Sequence, residues 1–152
     1  MQAIWKPHAT VATVIERDGL FLMVEEVIKG QHVYNQPAGH LDPNESLIEA
    51  AIRETREESA WAFQPEYITG IYLWPQPGTD RTFLRVAFTG SCADHNPKQT
   101  LDDGIIRAVW MSRDELASQP EKLRSPMVLR CIDDYLAGKR YPLDLLIDIT
   151  AD

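Results

Sequence analysis

The chain has 152 residues, of which 44% are hydrophobic and 25% charged, and 15 lysines and arginines against 23 aspartates and glutamates give a net charge of −8. That length suits one domain with an ordinary core, and the apolar content excludes a disordered chain. The acid excess argues against a binder of nucleic-acid backbone, which needs a basic face, and leaves open whether the carboxylates serve solubility or gather round a cation.

Residues 1–8 lack the basic-then-apolar pattern of a signal peptide. Residues 10–15 are rich in β-branched side chains and predict a strand. Arg17-Asp18-Gly19 is a turn signal, and a second strand at 20–26 would complete a hairpin. A short strand at 32–36 is stopped by Pro37 and Gly39. Ser46-Leu47-Ile48-Glu49 has the capping-box pattern, and neither Gly nor Pro follows before Ser59, so a helix is predicted there. Leu47, Ile48, Ala51, Ile52 and Thr55 form its core-facing stripe. Strands are expected at 67–74 and 82–89, on either side of a loop with Pro75, Pro77 and Gly78, and another at 105–111. Ser112-Arg113-Asp114-Glu115 opens a short helix with a second capping box. Ser125 and Pro126 supply the N-cap and first-turn proline of a last helix, which Gly138 ends. Strands and helices do not alternate strictly, so the fold class is a mixed α/β (α+β) domain and not a purely parallel doubly wound sheet. No apolar run approaches the roughly 18–20 residues of a membrane span. Cys92 and Cys131 form no CxxC pair and no metal-ligand spacing, and read as reduced thiols. The expected setting is the cytoplasm.

The informative segment is the first helix. Glu54, Glu57 and Glu58 stand at i, i+3 and i+4 and share one face. Like charges at that spacing cost a few tenths of a kcal/mol per pair. A hard divalent cation removes the cost, because Mg²⁺ or Mn²⁺ takes carboxylate oxygens and keeps waters for substrate phosphates. Arg53, four residues before Glu57, is placed to orient a carboxylate. The competing reading is a solvated acidic face, and three glutamates alone do not decide against it.

The surrounding pattern does. Residues 39–61 carry Gly39-x5-Glu45-x7-Arg53-Glu54-x2-Glu57-Glu58, which resembles the box of the Nudix hydrolases. The six identities match in register, and chance agreement at one starting position is on the order of 10⁻⁷. Two positions depart from the box. Thr55 stands where an aliphatic residue is usual. Ala60 stands where a glycine is usual, one that readily takes φ > 0, so a lengthened helix is the expected consequence. Trp61 fills the last, large apolar position. Residues 6–12, 35–41, 83–85, 123–126 and 140–143 are similar to a phosphatase branch of the family.

The resemblance implies an α/β/α sandwich on a mixed sheet, over a single domain 1–152, and metal-assisted hydrolysis of a diphosphate linked to another group. Glu54, Glu57 and Glu58 would ligate Mg²⁺, with Mn²⁺ as a substitute, and the carbonyl of Ala38 or Gly39 would complete the shell. Glu45 and Arg53 would brace the loop and helix behind them. The metal neutralises phosphate charge and lowers the pKa of bound water. Glu54 or Glu57 would take the proton, with Asp102, in the loop before a late strand, as the rival base. The phosphatase branch acts on nucleoside di- and triphosphates and on thiamine-type pyrimidine pyrophosphates.

Substrate contacts are sought among neighbouring residues. Arg85 alternates with apolar residues on a strand and can enter the cleft to bind phosphate. Arg124 precedes a helix N-terminus. Tyr34, Tyr72 and Trp74 offer ring faces, and the Gln36 amide can read a ring edge or a phosphate. Each has a plainer alternative, a surface arginine or a core aromatic. His8, His32, His40 and His95 have no spacing for zinc. The expected partner is a small-molecule di- or triphosphate, with no nucleic acid and no membrane, in a monomer or homodimer. Two rival functions are a Nudix hydrolase of another diphosphate (nucleotide sugar, ADP-ribose, oxidised nucleotide) and a non-catalytic nucleotide-sensing module. Sensing modules tend to lose box carboxylates, and here all are present.

Overall fold

Two mixed-order sheets and three α-helices carry residues 2–149, the part of the chain that the computed structural model describes. Residue 1 and residues 150–152, the ends of the expected domain, lie outside the described residues. The strands are β1 His8–Val14, β2 Glu16–Arg17, β3 Leu20–Ile28, β4 Gln31–Asn35, β5 Ala38–His40, β6 Ala62–Pro75, β7 Thr82–Ala93, β8 Ile105–Met111 and β9 Tyr141–Pro142. The helices are α1 Leu47–Ser59, α2 Arg113–Ala117 and α3 Met127–Leu136. One sheet runs β5-β1-β7-β6-β9, with β1 parallel to β7 and the other pairs antiparallel. The second holds β2, β3 and β4, with β8 antiparallel to β3.

Alternation along the strands divides the core in two. Val11, Ile68, Val86 and Phe88 pack with Ala50 and Ala51 of α1. Val14, Met23 and Ala87 pack with Val128, Cys131 and Ile132 of α3. Adjacent β7 residues Val86 and Ala87 thus feed opposite faces, which gives the expected α/β/α layering. Among the described residues no helix is long and apolar enough to cross a membrane.

Several boundaries differ from the sequence expectation. β6 and β7 extend well beyond 67–74 and 82–89, because they pair as one long hairpin from Ala62↔Ala93 to Pro75↔Thr82. Pro65 is accommodated where the register shifts between Pro65 and Tyr67, as a bulge permits. The short β2, β5 and β9 were not expected, and it is β2, not β1, that pairs with β3, since β1 lies in the other sheet between β5 and β7. Beyond Pro37 the chain turns straight into β5, with the Pro37 carbonyl accepting the Thr13 N–H at 3.0 Å. Pro126 directly precedes α3 with helical φ −61° and ψ −19°, as a first-turn proline does. The Ser125 hydroxyl accepts the Met127 N–H at 3.2 Å. Gly138, at φ 83°, follows the helix end as anticipated.

Both departures from the box resolve locally. Ala60 does not lengthen α1. It adopts the left-handed conformation itself, φ 63° and ψ 18°, and its N–H donates to the Arg56 carbonyl at 2.9 Å. Its carbonyl accepts the Asn96 N–H at 3.0 Å, so the exit is tied on both sides. Thr55 is 0% exposed. Its hydroxyl donates to the Ala51 carbonyl at 2.8 Å and meets the Thr13 hydroxyl at 3.0 Å, so a polar group at an apolar position is satisfied.

Candidate active site

The capping box is formed as the sequence suggested: Ser46 accepts the Glu49 N–H at 3.0 Å and Glu49 reaches back to the Ser46 N–H. This start fixes the rotation of α1 and so the direction of its carboxylates. Arg53 is the hub. Its Nε and Nη2 fork onto Glu45 at 2.9 and 2.7 Å, and Nη2 also donates to the His40 carbonyl at 3.0 Å. Its Nη1 donates to Glu54 at 2.7 Å and Glu57 at 3.2 Å. One guanidinium therefore locks the loop before the helix to two of the helix carboxylates. The hydrogen bonds from Arg53 hold the Glu45 carboxyl below its ordinary pKa, against the opposing effect of burial. Glu45 raises the Arg53 pKa in turn.

Carboxylate oxygens of Glu54, Glu57 and Asp102 all lie within 4.8 Å of one another. Asp102 is brought there by its own N–H, which donates to the Glu57 carbonyl at 3.1 Å. Glu58 accepts the Ala38 N–H at 2.9 Å and lines the same cavity as Glu54. Glu54, Glu57 and Asp102 thus form a compact trio, with Glu58 on the same cavity beside Glu54. Helix periodicity could not have found Asp102, which is 45 positions after Glu57 in the chain. Burial pushes the Glu54 carboxyl up, against the lowering effect of Arg53, with Glu57 and Asp102 adding to the rise. Burial pushes Glu58 up to about 9, against the Ala38 hydrogen bond and with the help of Glu26, Glu54 and Asp102.

These residues fit a hard divalent cation. The donors are all oxygens, and crowding with burial makes the carboxylates costly to ionise until a cation joins them. Gly39 makes the same point sterically, since a β-carbon there would overlap the Glu54 carboxylate.

Beside the carboxylates lies a cavity of about 340 Å³ lined by Ala38, Gly39, Glu54, Glu58, Arg85 and Trp74, among others. Arg85 is 3% exposed and donates to Gln36 Oε1 at 3.0 Å and Asn35 Oδ1 at 3.1 Å. Gln36 uses its other end too, with Nε2 donating to the Val128 carbonyl at 2.8 Å. Its amide is committed to the protein, and it is not among the residues lining the cavity. Trp74 stacks with Phe83, with ring centroids 5.8 Å apart, and both line the cavity. Arg124 also lines it, paired with Glu26 at 2.8 Å. Tyr34 and Tyr72 do not line this cavity: both pack against the α3 core, and Tyr72 donates to Asp134 at 2.8 Å. Phe83, Asn35 and Glu26 were not singled out in the sequence. Phe83 had a usable signal, since it stands two residues before Arg85 on one strand and so shares its face.

Fold and site together define a Nudix hydrolase. A family model described as NUDIX domain matches residues 6–130, and the chain belongs to that family. It is therefore a hydrolase of phosphoric anhydrides, from a family that generally uses divalent metals, and its carboxylate cluster is compatible with one. Within the family it is similar to Phosphatase NudJ of Escherichia coli (strain K12), 42% identical over 146 residues, 95% of this chain and 94% of that protein. The solved NUDIX hydrolase from Nitrosomonas europaea superposes with a TM-score of 0.94 at 47% identity, covering 97% of this chain and 100% of that one. The NUDIX domain of Shewanella oneidensis NrtR, solved with ADP ribose, shares the fold at a TM-score of 0.70 and 16% identity, over 89% of this chain and 90% of that one.

Proposed function

We propose that this chain, as a single domain over 1–152, is a Mg²⁺-dependent phosphatase of nucleoside di- and triphosphates and of thiamine-type pyrimidine pyrophosphates. Mn²⁺ would substitute, and the setting would be the cytoplasm. One observation carries the reading: the Glu54–Glu57–Asp102 trio stands beside a cavity that also holds the Arg85 guanidinium. A cation held by the trio would add to the Arg85 guanidinium, so that positive charge would meet a phosphate chain from two places. The similarity to a protein called a phosphatase supports the reaction, and the unpaired, buried Cys92 and Cys131 accord with a reducing compartment.

Glu54, Glu57 and Asp102 would hold the metal, with Glu58 beside them and the carbonyl of Ala38 or Gly39 as a further oxygen. Bound there, Mg²⁺ would neutralise phosphate charge and lower the pKa of a bound water. Glu54 or Glu57 takes the proton of the attacking water, and Asp102 is the alternative acceptor. Arg53 keeps Glu54 and Glu57 in place, and Glu45 keeps Arg53 in place. Arg85 contacts phosphate, with Arg124 at the cavity wall, and Trp74 offers its face to the ring of the substrate. A small-molecule substrate suits the size of the cavity.

The test is steady-state phosphate release with Mg²⁺ and with EDTA, over nucleoside di- and triphosphates, thiamine pyrophosphate, nucleotide sugars and ADP-ribose. Release from the first two groups is expected, abolished by EDTA and by Glu57→Gln. Activity surviving EDTA would refute the metal mechanism, and exclusive cleavage of nucleotide sugars would refute the phosphatase assignment.

A further inference from the structure

Arg85 differs from the other arginines at the site. Arg53 is answered by Glu45, Glu54 and Glu57, and Arg124 by Glu26. The buried Arg85 guanidinium has neutral partners: Gln36 at 3.0 Å, Asn35 at 3.1 Å and the Cys131 thiol at 3.7 Å. Its Nε–H has no partner at all among the described residues. A buried guanidinium without a counter-charge weakens the fold, and a purely structural arginine would recover that loss through a carboxylate. A cation kept in this state is placed for an anion that arrives with the ligand.

Its unanswered charge says which part of the ligand. Asn35, Arg85, Ser125 and Met127 are buried liners of the cavity, and so are Thr10 and the carboxylate residues Glu26, Glu54 and Glu58. The geometry points to a specificity device: Arg85, clamped by Gln36 and Asn35, takes the unsubstituted end phosphate of the substrate and so selects free-ended diphosphates over those esterified at both ends. This rests on the hydrolase reading above. An unsubstituted phosphate carries about two negative charges and three free acceptor oxygens, where a phosphate esterified on both sides carries one charge. Gln36 is a positioning residue. Its amide is 1% exposed and pinned by the Val128 carbonyl of α3, which leaves Oε1 facing Arg85.

In the reaction, the anhydride P–O bond between the end phosphate and its neighbour breaks, and the oxygen of water bonds to phosphorus. The proton of the water passes to a carboxylate and on to solvent. The products are inorganic phosphate and the monophosphate ester.

The test compares kcat/KM for ADP, with a free end, and ADP-ribose, capped at both ends, in the wild type, Arg85→Met and Gln36→Leu with Mg²⁺. The wild type should favour ADP by at least about tenfold, and Arg85→Met should lose on the order of 100-fold on ADP but less than about threefold on ADP-ribose. Gln36→Leu keeps the charge and should raise KM for ADP more than it lowers kcat. It also carries the comparison should Arg85→Met fail to fold. In EDTA, inorganic phosphate should raise the Tm of the wild type and not that of Arg85→Met. Equal losses on both substrates, or a wild-type preference for ADP-ribose, would overturn the inference while leaving the hydrolase reading intact. If neither substrate is cleaved, the hydrolase reading fails, and the phosphate-binding arm still decides the role of Arg85.

Discussion

The Glu54 carboxylate lies directly against the backbone of Gly39, in the space a β-carbon would fill. β5 and α1 therefore meet at a point where only hydrogen fits, and the position of a candidate metal-binding carboxylate depends on that contact. Gly39→Ala should push Glu54 away from Glu57 and Asp102. A misplacement of about 1 Å at a reacting centre costs on the order of 100-fold in rate. The expected outcome is that loss in kcat with a raised Mg²⁺ requirement and a Tm within a few degrees of wild type. Unchanged Mg²⁺ titration curves would show that the contact does not position Glu54.

The buried carboxylates set a pH dependence. In the chain without metal, burial holds Glu58 at about 9 against an ordinary value of 4.5, and Glu54 is raised as well. The folded state therefore keeps a proton that the unfolded chain releases. Stability from these groups is fully present below about pH 4.5 and is lost as pH rises towards 9. Measured in EDTA, Tm should fall across that window, and Glu58→Gln should flatten the fall. The gain in Tm from added Mg²⁺ should grow with pH, because the ion competes with the proton. A metal-free Tm that rises steadily from pH 5 to 9 would contradict this.

Ala60 carries strain that the usual glycine would not. A left-handed conformation costs a non-glycine residue about 1–2 kcal/mol, and Ala60 has φ 63°. Ala60→Gly should stabilise the protein by about 1 kcal/mol, less the entropy of a freer unfolded chain. Urea unfolding would measure it, with kcat/KM expected to stay near wild type.

Thr13 and Thr55 form a closed pair between β1 and α1. Thr55→Val leaves the buried Thr13 hydroxyl without its side-chain partner, which should cost about 1–3 kcal/mol. Replacing both with valine should recover most of that loss, since no orphaned hydroxyl remains. Denaturant midpoints of the two single variants and the double variant would show the coupling. Additive losses would mean that the hydroxyl pair contributes nothing.

Much of the chemistry was legible along the chain because it is local. The capping box at Ser46 and Glu49, the register of Glu54 and Glu57, and the reach of Arg53 to a carboxylate four residues on all follow from the 3.6-residue helical period. The box spacing then identified the family. Arg85 was legible as a strand residue facing a cleft, through period-two alternation. Tertiary structure decided what no period reports. Asp102 joins the Glu54–Glu57 carboxylates only because its loop is tied to the end of α1, and Glu58 meets the Ala38 N–H across 20 positions of sequence. Gln36 proved to be an anchor for Arg85, because α3 presents the Val128 carbonyl to its amide across 92 positions of sequence. Tyr34 went to the core, and Phe83 joined Trp74 at the cavity. The acid surplus could state only that a cation might be wanted, since composition counts charges and only contacts between distant segments concentrate them.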